Sequence, residues 1–463
     1  MKHLAPACFR AFACAAGSCP DSCCRAGWEI VPDEETLKLY QKLPGAEGAR
    51  ARAGIVPGAE PLLRQDSERV CVLLDPDGLC CVQKHFGHAA LCKVCREYPR
   101  FRRDFGSLTE HGVSLSCPTA YALAVGAPPA WEEWEDEAPV VPNELDPEAY
   151  PRLRRGRELA LDILTREELP LWQRVSLVRK LAAAMQAAPE RLVKHDYSIR
   201  LRRWSTVGGG AKPPKGMACA FEHSSPARSA GPHWGPGAER ACDAPQARFG
   251  TLARAVEGAG PYYGVTSKTG CRDKHCLSGI RNECNLPEAN LSDAMWDRLS
   301  AIVCFANADK QCLSLRHKLL AVTPYYGVDG TLAALARRFL SLEILSPAWK
   351  DVLERFAAAA EAGTLSNDVL TPAEPELYAR WLWYELCKYW LDALDDGELL
   401  GRVDRALAML LLGMAMDAAL PGEGPFLQRV SREIEHCEEN LTALLAAAGE
   451  QASSFGLLPY IFS

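Results

Sequence analysis

The chain has 463 residues, a formal net charge of -7, 48% hydrophobic residues and 24% charged residues. That length allows two or three domains and a sizeable core. The negative balance argues against a dedicated nucleic-acid binder, which needs a positive excess to meet phosphates. No run approaches the roughly 18 apolar residues of a membrane-spanning helix.

Eleven of the twenty cysteines fall within the first 117 residues. Disulfides, zinc and an iron–sulfur cluster are the available causes. Lys2 is followed by only a few apolar residues before Arg10, so the uninterrupted segment of a secretory signal is missing. The expected compartment is the cytoplasm, where disulfides seldom persist and clustered thiols hold metal.

Residues 1–126 are expected to form a cysteine-rich, cluster-binding domain. Residues 1–30 read as loop. Asp33 is the N-cap of a short helix with Leu37, Tyr40 and Leu43 on one face, and a Gly/Pro/Ala-rich connection covers 44–61. Val70, Val72 and Leu74 alternate before the turn Asp75-Pro76-Asp77-Gly78, which predicts a hairpin that brings Cys71 and Cys80 together. A second hairpin over 101–116 delivers Cys117. Residues 127–151 are acidic and Pro-rich, with Trp131 and Trp134 inside the run, and read as a linker.

A helical segment follows over 152–205. Leu159, Leu161, Ile163 and Leu164 precede Pro170, and Leu171, Val175, Val178 and Leu181 recur at helical spacing after it. Arg200, Arg202 and Arg203 suit a solvated helix end. Residues 206–290 lack sustained periodicity and read as an irregular insertion open to disorder. They hold Gly208-Gly209-Gly210 and five cysteines, and Pro261-Tyr-Tyr-Gly-Val265 returns as Pro324-Tyr-Tyr-Gly-Val328. Cys271, His275, Cys276 and Cys284 there match no strong zinc spacing. Residues 291–463 are expected to form a C-terminal α-helical domain, with helices over 331–360, 374–395, 401–420 and 425–448. The expected fold class is therefore mainly α, with a small cysteine-rich N-terminal metal-binding domain of short β-hairpins.

The cysteine spacing is rich: Cys14-x4-Cys19-x3-Cys23-Cys24, Cys71-x8-Cys80, Cys92-x2-Cys95 and Ser116-Cys117-Pro118. The Cys-x3-Cys-x2-Cys triplet of radical enzymes is absent, because position 26 is alanine. Cys92/Cys95 is the only Cys-x2-Cys pair in this region, so a zinc-ribbon pattern is missing too. Soft thiolates select zinc or iron–sulfur, and an all-sulfur set leaves both open.

This N-terminal pattern resembles the bacterial flagellin lysine N-methylase family. The matching elements are Phe12-Ala-Cys14 through Cys23-Cys24 with Gly27-Trp28, then Asp77-Gly78-Leu79-Cys80, Leu91-Cys92 through Cys95-Arg96-Glu97-Tyr98-Pro99-Arg100, and Leu115-Ser116-Cys117-Pro118. Leu171-Trp172-Gln173-Arg174 and Ser431-Arg432-Glu433-Ile434-Glu435-His436 are similar to later family motifs. Two residues, Arg25 and Ala26, stand between Cys24 and Gly27 where the family usually has one. The resemblance implies methyl transfer from S-adenosylmethionine to lysine side chains of flagellin, by a protein carrying an iron–sulfur cluster of the 4Fe-4S type, with zinc as the alternative. The metal candidates it carries over are Cys14, Cys19, Cys23, Cys24, Cys71, Cys80, Cys95 and Cys117, with Cys19, Cys23, Cys80, Cys95 and Cys117 ranked first.

Amine methylation needs a base to deprotonate the lysine and a dry, aromatic-lined site. Candidate catalytic residues are Tyr384 and Glu385, on an aromatic helix, and Glu433 and His436, in the C-terminal motif. Core packing is the ordinary role for such aromatics, and a solvated face the ordinary role for such charges. Arg96, Tyr98 and Arg100, beside Cys95, are candidates for cofactor binding or for bracing the loop. No strand precedes Gly208-Gly209-Gly210, so a Rossmann-type S-adenosylmethionine loop is not visible. The rival readings are a non-enzymatic chelating or electron-transfer protein and an inactive paralogue.

Overall fold

The computed structural model describes residues 1–137, 145–187, 327–366 and 368–449. The expectations for 188–326, including the insertion, its cysteines, Arg200 to Arg203 and the first copy of the repeat, lie outside the described residues.

A four-stranded sheet in the order β4-β5-β1-β6 joins the N-terminal region to the helices. Strand β1 (Lys2–Pro6) runs parallel to β5 (Leu108–Val113) and antiparallel to β6 (Trp131–Glu135). This corrects the reading of 1–30 as loop. A strand held between two neighbours is buried along most of its length, so it shows no alternation in sequence. Strand β6 likewise lies within the expected linker, where its acidic side chains flank Trp131 and Trp134. The expected hairpin over 101–116 is present as β4 (Arg100–Phe105) and β5, closed by Gly106-Ser107 with Gly106 at φ +67°.

The cysteine-rich lobe is built from short pieces. After α1 (Ala7–Ala11) come α2 (Glu34–Lys42), α3 (Gly45–Ala53), the two-residue strands β2 (Ile55–Val56) and β3 (Leu62–Leu63), α4 (Cys81–Phe86) and α5 (Lys93–Glu97). Asp33 caps α2 as expected, its carboxylate accepting Thr36 N–H at 2.9 Å. The stretch 70–82 is a tight turn with single bridges at Gln65–Cys71 and Leu74–Cys80 rather than a pair of strands. Gly78 at φ +82° makes that turn, and a Cβ there would sit 3.0 Å from the Gly17 carbonyl. The turn that carries Cys80 is therefore seated against the Cys14–Cys19 loop.

The body is helical: α6 (Pro118–Gly126), α7 (Ala149–Leu164), α8 (Leu171–Gln186), α9 (Gly327–Leu340), α10 (Pro347–Glu361), α11 (Pro375–Tyr389), α12 (Leu399–Ala419), α13 (Phe426–Ile434) and α14 (Glu438–Gly449). The helix expected over 331–360 breaks before Pro347, where Ser346 caps α10 by accepting Trp349 N–H. The helix expected over 425–448 breaks at 435–437, and that break carries Glu435 and His436. Helix α12 is buried almost all round, as its continuous apolar run requires. No helix among the described residues is long and apolar enough to cross a membrane.

Candidate metal centre and its buried polar wall

Four short segments place thiols around one pocket. Cys23 and Cys24 lie on a single 3-10 turn, with the Ser22 hydroxyl accepting Cys24 N–H at 3.3 Å. Cys71 is tied to them through its own N–H, which donates to the Cys24 carbonyl at 2.9 Å. Cys80 and Cys81 follow the Asp75–Gly78 turn, and Cys81 N–H donates to Leu73 O at 2.7 Å. The Arg50 guanidinium clamps this turn through Val72 O, Leu74 O and the Asp75 carboxylate. Cys92 and Cys95 flank the start of α5, where the Asp33 carboxylate also accepts Lys93 N–H at 3.0 Å. One side chain thus caps two helices. The pocket is lined by Cys23, Cys24, Cys71 and Cys95 with Trp28, Ile30, Leu63, Gln65, Val94 and Tyr98.

The thiols feel one another. Cys23 and Cys24 form a hydrogen-bonded pair, which pushes Cys23 well up and draws Cys24 down to about 7. Cys92 and Cys95 do the same, with Cys95 pushed up and Cys92 drawn down. Burial, reinforced by repulsion from neighbouring cysteines, pushes Cys71 up to about 12 and Cys80 up to about 11. Cys14, Cys19 and Cys117 make a flanking group: burial raises Cys117, and Cys19 and Cys14 add to it. The eight sequence candidates are therefore divided between a pocket and its flank. Cys92 belongs beside Cys95, and its Cys-x2-Cys spacing was the available signal.

The donor set fits a cluster better than a single ion. Thiolates bound to one zinc at about 2.3 Å stand within about 4 Å of each other. Among the described residues, the only three potential ligand atoms within 4.8 Å of one another belong to Glu343, Cys437 and Glu439, far from the cysteine motifs in sequence. The pocket thiols are spread more widely and repel as thiolates, which suits a larger thiophilic core that carries positive charge. Trp28 Nε1, buried in the pocket wall, has no hydrogen-bond acceptor among the described residues.

The C-terminal motif closes one side of this pocket. Arg432, on α13, donates to Ser22 O at 2.9 Å and Asp21 O at 3.3 Å, pairs with the Asp21 carboxylate at 3.1 Å, and lies 5.2 Å over the Trp28 ring. Gln428 donates to Ser116 O at 2.7 Å. The His436 ring packs, tilted, with its centroid 4.2 Å from that of Trp28 and 5.8 Å from that of Tyr98, and its Nε2 lies 2.7 Å from Ser116 Oγ. Burial pushes His436 down to about 3, so the imidazole is neutral. Behind it, Glu435 Oε2 accepts from Ser114 Oγ at 2.6 Å and pairs with Lys388.

Glu385 faces the same buried charges. Burial, with Glu435 nearby, pushes it up to about 7. Among the described residues neither of its oxygens accepts a hydrogen bond, and Arg405 stands 3.7 Å away. Glu433 turns elsewhere, accepting Leu345 N–H at 2.8 Å, and burial raises it to about 7. Tyr384 points to the sheet, its hydroxyl accepting Val113 N–H at 2.7 Å beside Cys8. Arg96 donates to Ala89 O and Leu91 O, and Arg100 to Phe12 O, so both brace loops; of that trio, Tyr98 lines the pocket. Ser114 and Lys388 carried no signal in the sequence, because Glu435, the partner of both, lies 321 and 47 residues from them.

No family model and no solved structure matches the chain. Two proteins named Lysine-N-methylase, from Salmonella choleraesuis (strain SC-B67) and Salmonella typhimurium (strain LT2), are 30% and 29% identical to it over 136 residues. The Flagellar biosynthetic protein FliU of Salmonella muenchen is 30% identical over 136 residues, which is 27% of this chain and 78% of that protein. The chain belongs to the flagellin lysine N-methylase family. It spans about a third of the length of the two lysine-N-methylases, 33% of each. In this member of the family, the cysteine motifs and the Ser431–His436 motif form two walls of one place.

Proposed function

We propose that this chain is a protein lysine N-methyltransferase that moves methyl groups from S-adenosylmethionine to lysine side chains of flagellin, and that its thiol pocket holds an iron–sulfur cluster of the 4Fe-4S type. The cytoplasm is the proposed compartment. The observation that carries the reading is the meeting of the thiol pocket with the C-terminal motif through Arg432, His436 and Trp28. The names of the two lysine-N-methylases supply the reaction class. The proposed cluster ligands are drawn from Cys23, Cys24, Cys71, Cys80 and Cys95. When bound, a cluster supplies the positive charge that lets these thiolates share one place.

The protein's own side chains do the rest. Trp28 and Tyr98 form the aromatic side of the pocket, with the Arg432 guanidinium 5.2 Å over the Trp28 ring. Ile30, Leu63 and Val94 keep the wall apolar and keep water from the thiols that would hold the cluster. Transfer is then a displacement by the neutral amine on the methyl carbon, with the thioether leaving.

The test is mass spectrometry of purified flagellin incubated with S-adenosylmethionine and the anaerobically purified chain. The reading requires methyl-lysine that appears only with the chain and the methyl donor present. Unmodified flagellin, with donor and folded chain confirmed, would sink it.

A further inference from the structure

The dipeptide Gly27-Trp28 sets one indole into the wall of the thiol pocket and fixes it there from both ends. Arg69 Nη2 donates to Gly27 O at 3.0 Å, and Gln65 Nε2 donates to Trp28 O at 2.6 Å. The ring is held as firmly as the backbone. Tyr98 meets it edge-on with centroids 5.1 Å apart, His436 packs against it at 4.2 Å, and Arg432 lies 5.2 Å over it. Trp28 is 3% exposed, yet its Nε1–H has no acceptor among the described residues. The ring's neighbours do not supply one. Tyr98 Oη and His436 Nε2 both turn to Ser116 Oγ, and a guanidinium has no lone pair to offer. A buried N–H left unbonded is costly, so folded proteins give such a donor a partner. The pocket that Trp28 lines is also lined by Cys23, Cys24, Cys71 and Cys95, so the acceptor it offers in quantity is sulfur.

We propose that the Trp28 indole N–H donates a hydrogen bond to a sulfur of the cluster in this pocket, either a cysteine thiolate or a bridging sulfide. The inference rests on the reading of the pocket as an iron–sulfur site. Sulfur bound to iron keeps lone pairs and negative charge, which makes it a charge-assisted acceptor. No proton changes hands, because the indole N–H is a donor only and stays protonated. The donor is fixed before a cluster arrives, since Gln65 holds the backbone and Tyr98, His436 and Arg432 hold the ring. Little ordering cost is therefore left for the bond itself. Reduction adds negative charge to the cluster and strengthens the bond, so Trp28 favours the reduced form over the oxidised one. Hydrogen bonds to the sulfurs are one of the levers that set the potential of such a cluster. The same bond ties the cluster to the C-terminal motif, because Arg432 and His436 pack on the ring that donates it. Trp28 positions and tunes the cluster, and it takes no part in the bond changes of methyl transfer.

The experiment uses the full chain, purified anaerobically with its cluster and labelled with tryptophan that carries ¹⁵N at the indole nitrogen. A low-potential reductant brings the cluster to its paramagnetic state, and pulsed electron paramagnetic resonance records the nuclei coupled to it. The inference predicts coupling to a single indole nitrogen and to a proton that exchanges in deuterium oxide. Trp28→Phe, which keeps a ring for Tyr98, His436 and Arg432, should lose both signals. Tyr98→Phe, which alters the same wall without touching the donor, should keep them. At a fixed potential the oxidised-to-reduced ratio should rise roughly tenfold in Trp28→Phe, about 59 mV for a one-electron couple. If Trp28→Phe does not retain a cluster, the wild-type nitrogen coupling decides alone. A reduced cluster with no indole coupling overturns the hydrogen bond and leaves the cluster reading intact. So does a potential that Trp28→Phe leaves unmoved. Iron and sulfide missing from anaerobically purified wild type overturn the cluster reading and the inference with it.

Discussion

The thiol lobe and the helical body bury their side chains on different terms. The lobe has a core of nine buried residues, Tyr40, Leu43, Ala51, Leu63, Leu73, Cys81, Val82, Ala90 and Leu91. The body buries Trp381, Trp390, Phe339, Phe356 and Phe426 within one continuous core. A core as small as the lobe's supplies little net stability and needs a staple. Its segments are held by polar clamps instead: Arg50 on the 72–75 turn, Asp33 on two helix starts, and Gln65 Nε2 on Trp28 O at 2.6 Å. The body tolerates buried ion pairs such as Arg157–Glu110 and Arg179–Asp404 because its apolar core is large. The difference teaches that one part of this protein should depend on what its thiols hold and the other should not.

The sharpest way to break that comparison is to remove the metal. With a strong chelator under reducing conditions, amides over 14–95 should lose most of their hydrogen-exchange protection, while those of α7, α11 and α12 keep theirs. Uniform loss across both regions would contradict the division.

The body has its own weak point. Glu110→Ala leaves the Arg157 guanidinium buried without the carboxylate it grips, 2.8 Å from Nη1 to Oε2. Breaking such a pair costs about 3–5 kcal/mol, measurable by urea unfolding, and the metal content of the surviving folded protein should not change.

Glu433 sharpens the account through pH. Burial raises its folded pKa to about 7 from an ordinary value of 4.5, so between those values the folded chain holds a proton that the unfolded chain releases. Its contribution to stability therefore falls by about 3 kcal/mol as pH rises from 4.5 to 7, and is constant above that. Glu433→Gln keeps an acceptor for Leu345 N–H and should flatten this part of the stability–pH curve; an unchanged slope would refute the assignment.

The smallest effect is expected in the lobe. Asp33→Ala removes one helix cap and the acceptor of Lys93 N–H. It should cost about 1–2 kcal/mol, read as faster exchange over 34–42 and 93–97 with the body unmoved.

What the sequence disclosed was local. The Asp33 cap, the hairpin over 101–116 and the run of α12 are written in neighbouring residues, and the structure has each of them. Strands β1 and β6 escaped notice because their identity lies in pairing with distant segments, not in alternation. Glu385 and His436 could be singled out from their helix and motif, but nothing local said that Lys388 and Glu435 would pair, or that Ser114 and Ser116 would stand between Glu435 and the pocket. The cysteine motifs were plain, yet their division into a pocket and a flank needed the folded chain.

The most direct measurement is iron and sulfide assayed with the visible absorbance spectrum on anaerobically purified protein, for wild type and for Cys24→Ser, Cys71→Ser and Cys95→Ser, beside Cys8→Ser and Cys437→Ser. The account predicts matching iron and sulfide in wild type, Cys8→Ser and Cys437→Ser, and loss of both in at least one pocket variant. Zinc without sulfide in wild type, or retention of a full cluster by all three pocket variants, would contradict it.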